Sequence, residues 1–168
     1  MNVAVTGTPG TGKTTATELL STDLDVIHLN EVIKSEGFST DTDEERGSLV
    51  ADMEALESWL DRREDYIVES HLAHNFGADR VVVLRAHPDT VVERLRERGD
   101  SDSKAYENAE SEALDVVLSE AVHHHGTENV FEIDTTDRDP EEVAAEIAAV
   151  VAGEREPSAG TVSYVDWL

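Results

Sequence analysis

The stretch Gly7-Thr8-Pro9-Gly10-Thr11-Gly12-Lys13-Thr14 decides the fold. It matches the pattern G-x-x-x-x-G-K-[ST], with the apolar run NVAVT at residues 2–6 before it and a helix-forming run at residues 13–21 after it. A buried strand that turns through glycines into a helix is the setting of a phosphate-binding loop. Successive backbone N–H groups wrap phosphate oxygens, the helix N-terminus adds its dipole, and glycines let the backbone approach where side chains would collide. Such a loop is expected to hold ATP, with Lys13 bridging the β- and γ-phosphates and Thr14 binding Mg²⁺.

Outward from the loop, apolar runs alternate with helical patterns. Strands are expected at 2–6, 26–29, 66–68, 80–84 and 130–133. In the first helix Leu19 and Leu20 are expected to point inward. Residues 30–64 read as mostly helical, with Leu49, Met53, Leu56 and Leu60 at helical spacing and Thr42 with Glu45 as a capping box. Pro88 opens a helix whose inward positions are Val91, Val92 and Leu95, and Gly99 ends it. After the polar loop 99–104 a Glu-rich helix runs to about residue 125, where His123, His124 and His125 form a solvated run at its end. Asp139-Pro140-Glu141-Glu142 starts the last helix, with Val143, Ile147 and Val150 buried. Beyond Gly153 the periodicity is lost and residues 153–168 read as a tail. Alternating strands and helices imply an α/β fold with a mainly parallel sheet covered on both faces. The stretch between the second and third strands is too long for a plain crossover and reads as an insertion reaching over a site.

Tyr66-Ile67-Val68-Glu69 places a carboxylate at the end of an apolar strand, where Glu69 can order Mg²⁺ or its waters beside Thr14. Two residues on, His71 can orient a water or contact the γ-phosphate, or be structural. Arg94 and Arg98 share a helix face. Arg98, at the edge of the polar loop, can offset charge on transferring phosphoryl oxygens. Arg96 reads as part of a solvated, ion-paired face.

Composition bounds the rest. The 168 residues suit one domain, 39% hydrophobic residues can fill a core, and no cysteine is present for disulfides or thiolate zinc sites. No apolar run approaches the roughly 18 residues of a membrane span, and the N-terminus lacks a signal-peptide pattern, which points to the cytoplasm. Thirteen Lys+Arg against 38 Asp+Glu give a net charge of −25, and only three of the basic residues are lysine: Lys13, Lys34 and Lys104. The acids are interleaved with periodic apolar positions along the whole chain. That pattern fits a folded protein adapted to a salt-rich, halophilic cytoplasm better than a disordered acidic chain. Direct nucleic-acid reading is disfavoured, because phosphate recognition needs a basic surface. No Asn-Lys-x-Asp motif supports a GTPase.

Together, the loop 7–15, Glu69-Ser70-His71, Val81-Val82-Val83-Leu84-Arg85 and Arg94-Leu95-Arg96-Glu97-Arg98-Gly99, followed by Lys104 and Glu107-Asn108-Ala109-Glu110, resemble the short adenylate kinase family of eukaryotes and archaea (adenylate kinase isoenzyme 6 in animals). The resemblance runs from residue 1 to about residue 151. It implies a P-loop nucleoside monophosphate kinase domain at 1–152 with a five-stranded parallel core, an NMP-binding insertion at 29–52 and a lid at 98–108. It further implies transfer of the ATP γ-phosphoryl to AMP, ATP hydrolysis, and a part in small-subunit rRNA maturation through ribosomal protein uS11 and the pre-30S particle. By the same resemblance Gly10, Gly12, Lys13, Thr14 and Thr15 carry over to ATP binding, as does Arg98 in the lid. Two departures stand out. Glu69 occupies a position where the family usually has aspartate, and residues 70–76 lack the arginine with which ordinary adenylate kinases grip AMP. Arg46 and Arg85 are the substitutes expected from the sequence. A nucleoside monophosphate kinase and an assembly ATPase acting on a ribosomal protein therefore both stand, with a small-metabolite kinase of the shikimate type open on fold alone.

Overall fold

The computed structural model describes residues 1–43 and 48–168. Its strands are β1 (Asn2–Thr6), β2 (Asp25–His28), β3 (Ser39–Asp43), β4 (Ser48–Ala51), β5 (Tyr66–Glu69), β6 (Arg80–Arg85) and β7 (Val130–Asp134). Five of them form one parallel sheet in the order β2-β5-β1-β6-β7, while β3 and β4 pair antiparallel as a separate ribbon. The helices are α1 (Lys13–Glu18), α2 (Leu29–Glu36), α3 (Met53–Asp61), α4 (Pro88–Glu97), α5 (Asp102–Ala113), α6 (Val116–His125) and α7 (Pro140–Val151).

The strands read as continuous apolar runs because both faces of the sheet are covered. Side chains alternate between two cores. Ala4, Val68, Val81 and Val83 pack with Leu29, Leu56, Leu60, Phe76 and Leu118 on one face. On the other, Val3, Val5, Ile67, Val82 and Leu84 pack with Ile133, Val143 and Ile147. The two-residue period of a strand thus sorts each run into both layers.

Four details depart from the sequence reading. First, α1 stops at Glu18, so Leu19 is exposed and only Leu20 packs inward. Second, residues 30–64 are not all helical. Thr42 and Leu49 face each other across the β3–β4 ribbon, Glu45 lies outside the described residues, and α3 is capped by Asp52, whose carboxylate accepts from the Ala55 N–H at 3.1 Å. Third, the expected long helix after residue 104 breaks at Asp115, which adopts φ 57° and separates α5 from α6. The cause is Arg85, whose Nη2 donates to Asp115 Oδ1 at 2.6 Å and to the Glu112 carbonyl at 3.1 Å, drawing both toward the sheet.

The fourth concerns residues 153–168, which are integrated into the domain. Ser158 N–H donates to the Val130 carbonyl at 3.0 Å, and Thr161 N–H donates to Glu132 Oε1 at 3.0 Å. Trp167 packs on the cluster formed by Val91, Val92, Leu95, Ala105 and Ala109 and donates from Nε1 to Asp89 at 2.9 Å. The segment is a strap from the edge strand β7 to α4. None of the described helices is long and apolar enough to cross a membrane.

Candidate functional site

The C-terminal ends of the parallel strands converge on one cleft, as open α/β sheets dictate. β1 delivers the glycine loop, β5 delivers Glu69 and β7 leads into Thr135, while His28 at the end of β2 contacts Glu69 from beside the cleft. The cleft has a volume of about 1220 Å³.

The loop geometry explains its glycines. Gly7 has φ 150°, and a Cβ there would lie 2.6 Å from the Leu84 carbonyl oxygen. Gly12 caps α1 at φ 87°, a left-handed conformation that favours glycine. Since α1 is only six residues long, the loop amides rather than a long helix axis supply the local positive potential. The loop is braced from below. Arg94 Nη1 donates to the Gly10 carbonyl at 3.2 Å, and the Thr135 hydroxyl donates to the Thr11 carbonyl at 3.0 Å. Lys13 is buried and folded back on the loop, donating to the carbonyls of Gly7 at 2.9 Å and Thr8 at 3.1 Å. Burial pulls its ammonium down to about 8, against the opposing pull of Glu69 and Glu112.

Thr14 and Thr15 are exposed to the cleft. Thr14 Oγ1 donates to Glu69 Oε1 at 3.0 Å, and His28 Nδ1 meets the same oxygen at 2.8 Å. A threonine hydroxyl beside a carboxylate at the loop mouth is a hard-oxygen donor pair of the kind Mg²⁺ takes, with waters and phosphate oxygens completing its shell. The residues present therefore fit the ion that a nucleotide brings.

His71 lines the cleft, and burial together with the nearby Lys13 charge holds its imidazole down at about 4. It is neutral near pH 7, and it makes no hydrogen bond among the described residues. Arg98 caps α4, borders the cleft and pairs with Asp100 at 2.7 Å rather than with Glu93 or Glu97. Arg96 points away, paired with Asp102 at 2.8 Å, which agrees with a solvated face.

The two arginines expected to grip a second nucleotide fare differently. Arg46 lies outside the described residues. Arg85 is not in the cleft, and its expected binding role is corrected by its surroundings. All five N–H donors are taken: Nε by Glu112 Oε1, Nη1 by Glu132 Oε2 and the Val162 carbonyl, Nη2 by the Glu112 carbonyl and Asp115 Oδ1. The side chain is 1% exposed, so it has neither a free donor nor a path to a ligand.

The residue that sequence reasoning passed over is Lys34. It projects from α2 into the cleft, so all three lysines of the chain, Lys13, Lys34 and Lys104, line the same cavity. Among the described residues, Arg94, Arg98 and Arg138 join them, six basic side chains against the three acids Glu69, Glu107 and Glu120. In a chain with 38 acids, that local reversal of sign marks a site for an anion with several charges. The absence of lysine elsewhere in the chain was the signal that could have found Lys34.

The chain matches a family model described as an AAA domain over residues 3–115. It is 61% identical to a protein of Natronomonas pharaonis named "Putative adenylate kinase" over the full length of both chains. A Halobacterium salinarum protein of the same name is 58% identical, again over the full length of both. Among solved structures, shikimate kinase from Acinetobacter baumannii in complex with shikimate superposes with a TM-score of 0.62 at 15% identity, covering 92% of this chain and 94% of that one. Shikimate kinase from Bacteroides thetaiotaomicron gives 0.57 at 20% identity, covering 91% and 98%. At those identities the likeness establishes the P-loop kinase fold alone.

Proposed function

The chain belongs to this archaeal family named for adenylate kinase, and from that membership we propose that it transfers the γ-phosphoryl group of Mg²⁺-bound ATP to a nucleoside monophosphate, AMP foremost. The observation that carries the proposal is the convergence of the glycine loop, the Thr14–Glu69 pair and all three lysines on one cleft. A phosphate-binding loop alone would serve hydrolysis equally well. A second, separate cation on α2 is what an acceptor phosphate needs.

The chemistry asks little covalent work of the protein. Loop amides and Lys13 fix the donor phosphates, Lys34 holds the acceptor phosphate in line, and Arg98 offsets charge on the oxygens of the transferring group. Binding of ATP draws Lys13 away from the Gly7 and Thr8 carbonyls toward phosphate oxygens, which favours its charged form. Thr14 and Glu69 would hold a metal ion bound with ATP, which would supply neutralisation of phosphate charge. His71, held neutral, can accept a hydrogen bond from a water or from the acceptor and carries no charge to repel Lys13.

The absence of an arginine in residues 70–76 and the enclosure of Arg85 favour a second reading, ATP hydrolysis coupled to a ribosomal protein partner such as uS11 in 30S maturation. One assay separates the two: turnover of ATP with Mg²⁺ in molar KCl, with and without AMP, resolving ADP from inorganic phosphate. The kinase reading requires AMP to raise ADP production and suppress phosphate release. Phosphate release that ignores AMP would leave the ATPase reading standing.

A further inference from the structure

Glu69 has three side-chain torsions, and a carboxylate on such an arm reaches a defined place only if something holds it. Two donors do so, and both act on the same oxygen. Thr14 Oγ1 donates to Oε1 at 3.0 Å, and His28 Nδ1 lies 2.8 Å from it. Because a carboxylate only accepts, the proton of this contact sits on His28 Nδ1. The other oxygen, Oε2, has no hydrogen bond among the described residues. The Glu69 side chain is 5% exposed, so solvent does little to orient it.

The contact follows from strand register. His28 and Glu69 are directly paired residues at the ends of the neighbouring parallel strands β2 and β5. Side chains at paired positions emerge on the same face, so the two must meet. One step further, Ser70 Oγ donates to Asn30 Oδ1 at 3.2 Å. The ends of β2 and β5 are therefore tied twice in succession, and the first tie falls on the carboxylate that stands beside Thr14.

We propose that His28 is a positioning residue for Glu69: its Nδ1–H fixes Oε1, so that Oε2 is presented to the waters of the nucleotide-bound metal. The inference rests on the kinase reading for its consequence but not for its test. Partners of this kind, which orient the group next to a metal without touching the metal, carry about tenfold in metal affinity. His28 also sits at the N-terminus of α2, the helix that bears Lys34. The group that orients the metal side is thus built into the root of the helix that reaches the acceptor side.

The test is a Mn²⁺ titration followed by electron paramagnetic resonance, on the full chain saturated with a non-hydrolysable ATP analogue in molar KCl. Wild type, His28→Ala and His28→Asn are compared. Nucleotide affinity in the presence of chelator and the thermal midpoint are measured alongside. His28→Ala is expected to weaken Mn²⁺ binding about tenfold with metal-free nucleotide affinity unchanged. His28→Asn is expected to recover most of the loss, because its amide N–H can donate from nearly the same place. If alanine unfolds the protein, His28→Leu replaces it in the comparison. Wild-type Mn²⁺ affinity without the donor would overturn the proposal, and so would equal losses in the Asn and apolar variants. Failure of AMP to act as acceptor would appear only in the product assay and would leave this binding result as it stands.

Discussion

Thr8, in the glycine loop, donates its hydroxyl to Glu112 Oε1 on α5 at 3.0 Å, and the same oxygen accepts from Arg85 Nε at 3.3 Å. The second Glu112 oxygen accepts from the Ala86 N–H at 2.8 Å. Burial pushes the Glu112 carboxyl up, and Arg85 pulls it back down. The loop is therefore anchored to a largely buried ion network.

Replacing Glu112 by alanine leaves a buried guanidinium partly uncompensated and frees Thr8. Breaking one partner from such a network costs about 3 kcal/mol. Urea unfolding in molar KCl should show a loss of that order, with weaker ATP binding in the protein that remains folded. A variant with an unchanged unfolding midpoint would mean that Arg85 is adequately neutralised by Glu132 and Asp115 alone.

Arg85 and Lys34 should separate cleanly. Arg85→Ala is expected to destabilise the fold by about 3 kcal/mol, because three carboxylates lose their partner. Lys34→Ala, on an exposed stretch of α2, should leave the thermal midpoint in place and raise the KM for AMP about tenfold or more, with the KM for ATP little changed. Steady-state kinetics with each substrate varied in turn decide the matter. An unaltered AMP KM in Lys34→Ala removes it from the acceptor site.

Arg98 is half-exposed and, among the described residues, pairs with Asp100 alone, so its removal should cost little stability. Arg98→Ala should lower kcat by about 10²-fold while leaving ATP binding within a few-fold, the pattern of a group that acts on developing charge. Equal losses in kcat and in ATP affinity would instead make it a ground-state ATP contact.

What the sequence made legible, and what it hid, follows from the range of the interactions. The glycine loop, the apolar strands and the Pro88 and Pro140 helix starts are local signals, and each is where it was expected. The β3–β4 ribbon was hidden because Leu49, Met53, Leu56 and Leu60 keep helical spacing across a boundary that Asp52 sets by capping α3. The break at Asp115 was hidden because its cause, Arg85, is 30 residues away. Arg85 was misread for the same reason: a basic residue after a strand looks available until the acids that enclose it are brought in from α5 and β7. His28 carries no local signal at all, since only the β2–β5 register places it against Glu69.

Net charge predicts a salt requirement. At −25, self-repulsion opposes the compact state, and at about 1 M salt the Debye length falls to about 3 Å. Lowering KCl from molar to about 0.1 M, where that length is about 10 Å, should depress the thermal midpoint. Partial neutralisation of surface acids to their amides should shift the requirement toward lower salt. A midpoint independent of KCl would assign the acidity no role in stability.

The C-terminal strap should release at alkaline pH. The Tyr164 hydroxyl donates to Asp134 Oδ2, and the ring stacks edge-on against His87 with centroids 5.2 Å apart. Burial, followed by the bond to the Asp134 carboxylate, pushes the phenol up to about 12 from its usual 10. A phenol whose folded pKa lies above its unfolded one contributes stability that is fully present below pH 10 and is lost as pH rises through 12. Above that point a phenolate would face Asp134, and the strap that carries Trp167 onto α4 should let go. Trp167 fluorescence, read in a Trp59→Phe background, should therefore shift to the red between pH 10 and 12, before the far-ultraviolet signal of the sheet is lost. In Tyr164→Phe, which has no phenol to ionise, that transition should disappear, and below pH 10 the strap should be weaker than in wild type by about 1 kcal/mol. A red shift that persists unchanged in Tyr164→Phe would place the alkaline trigger on a different group.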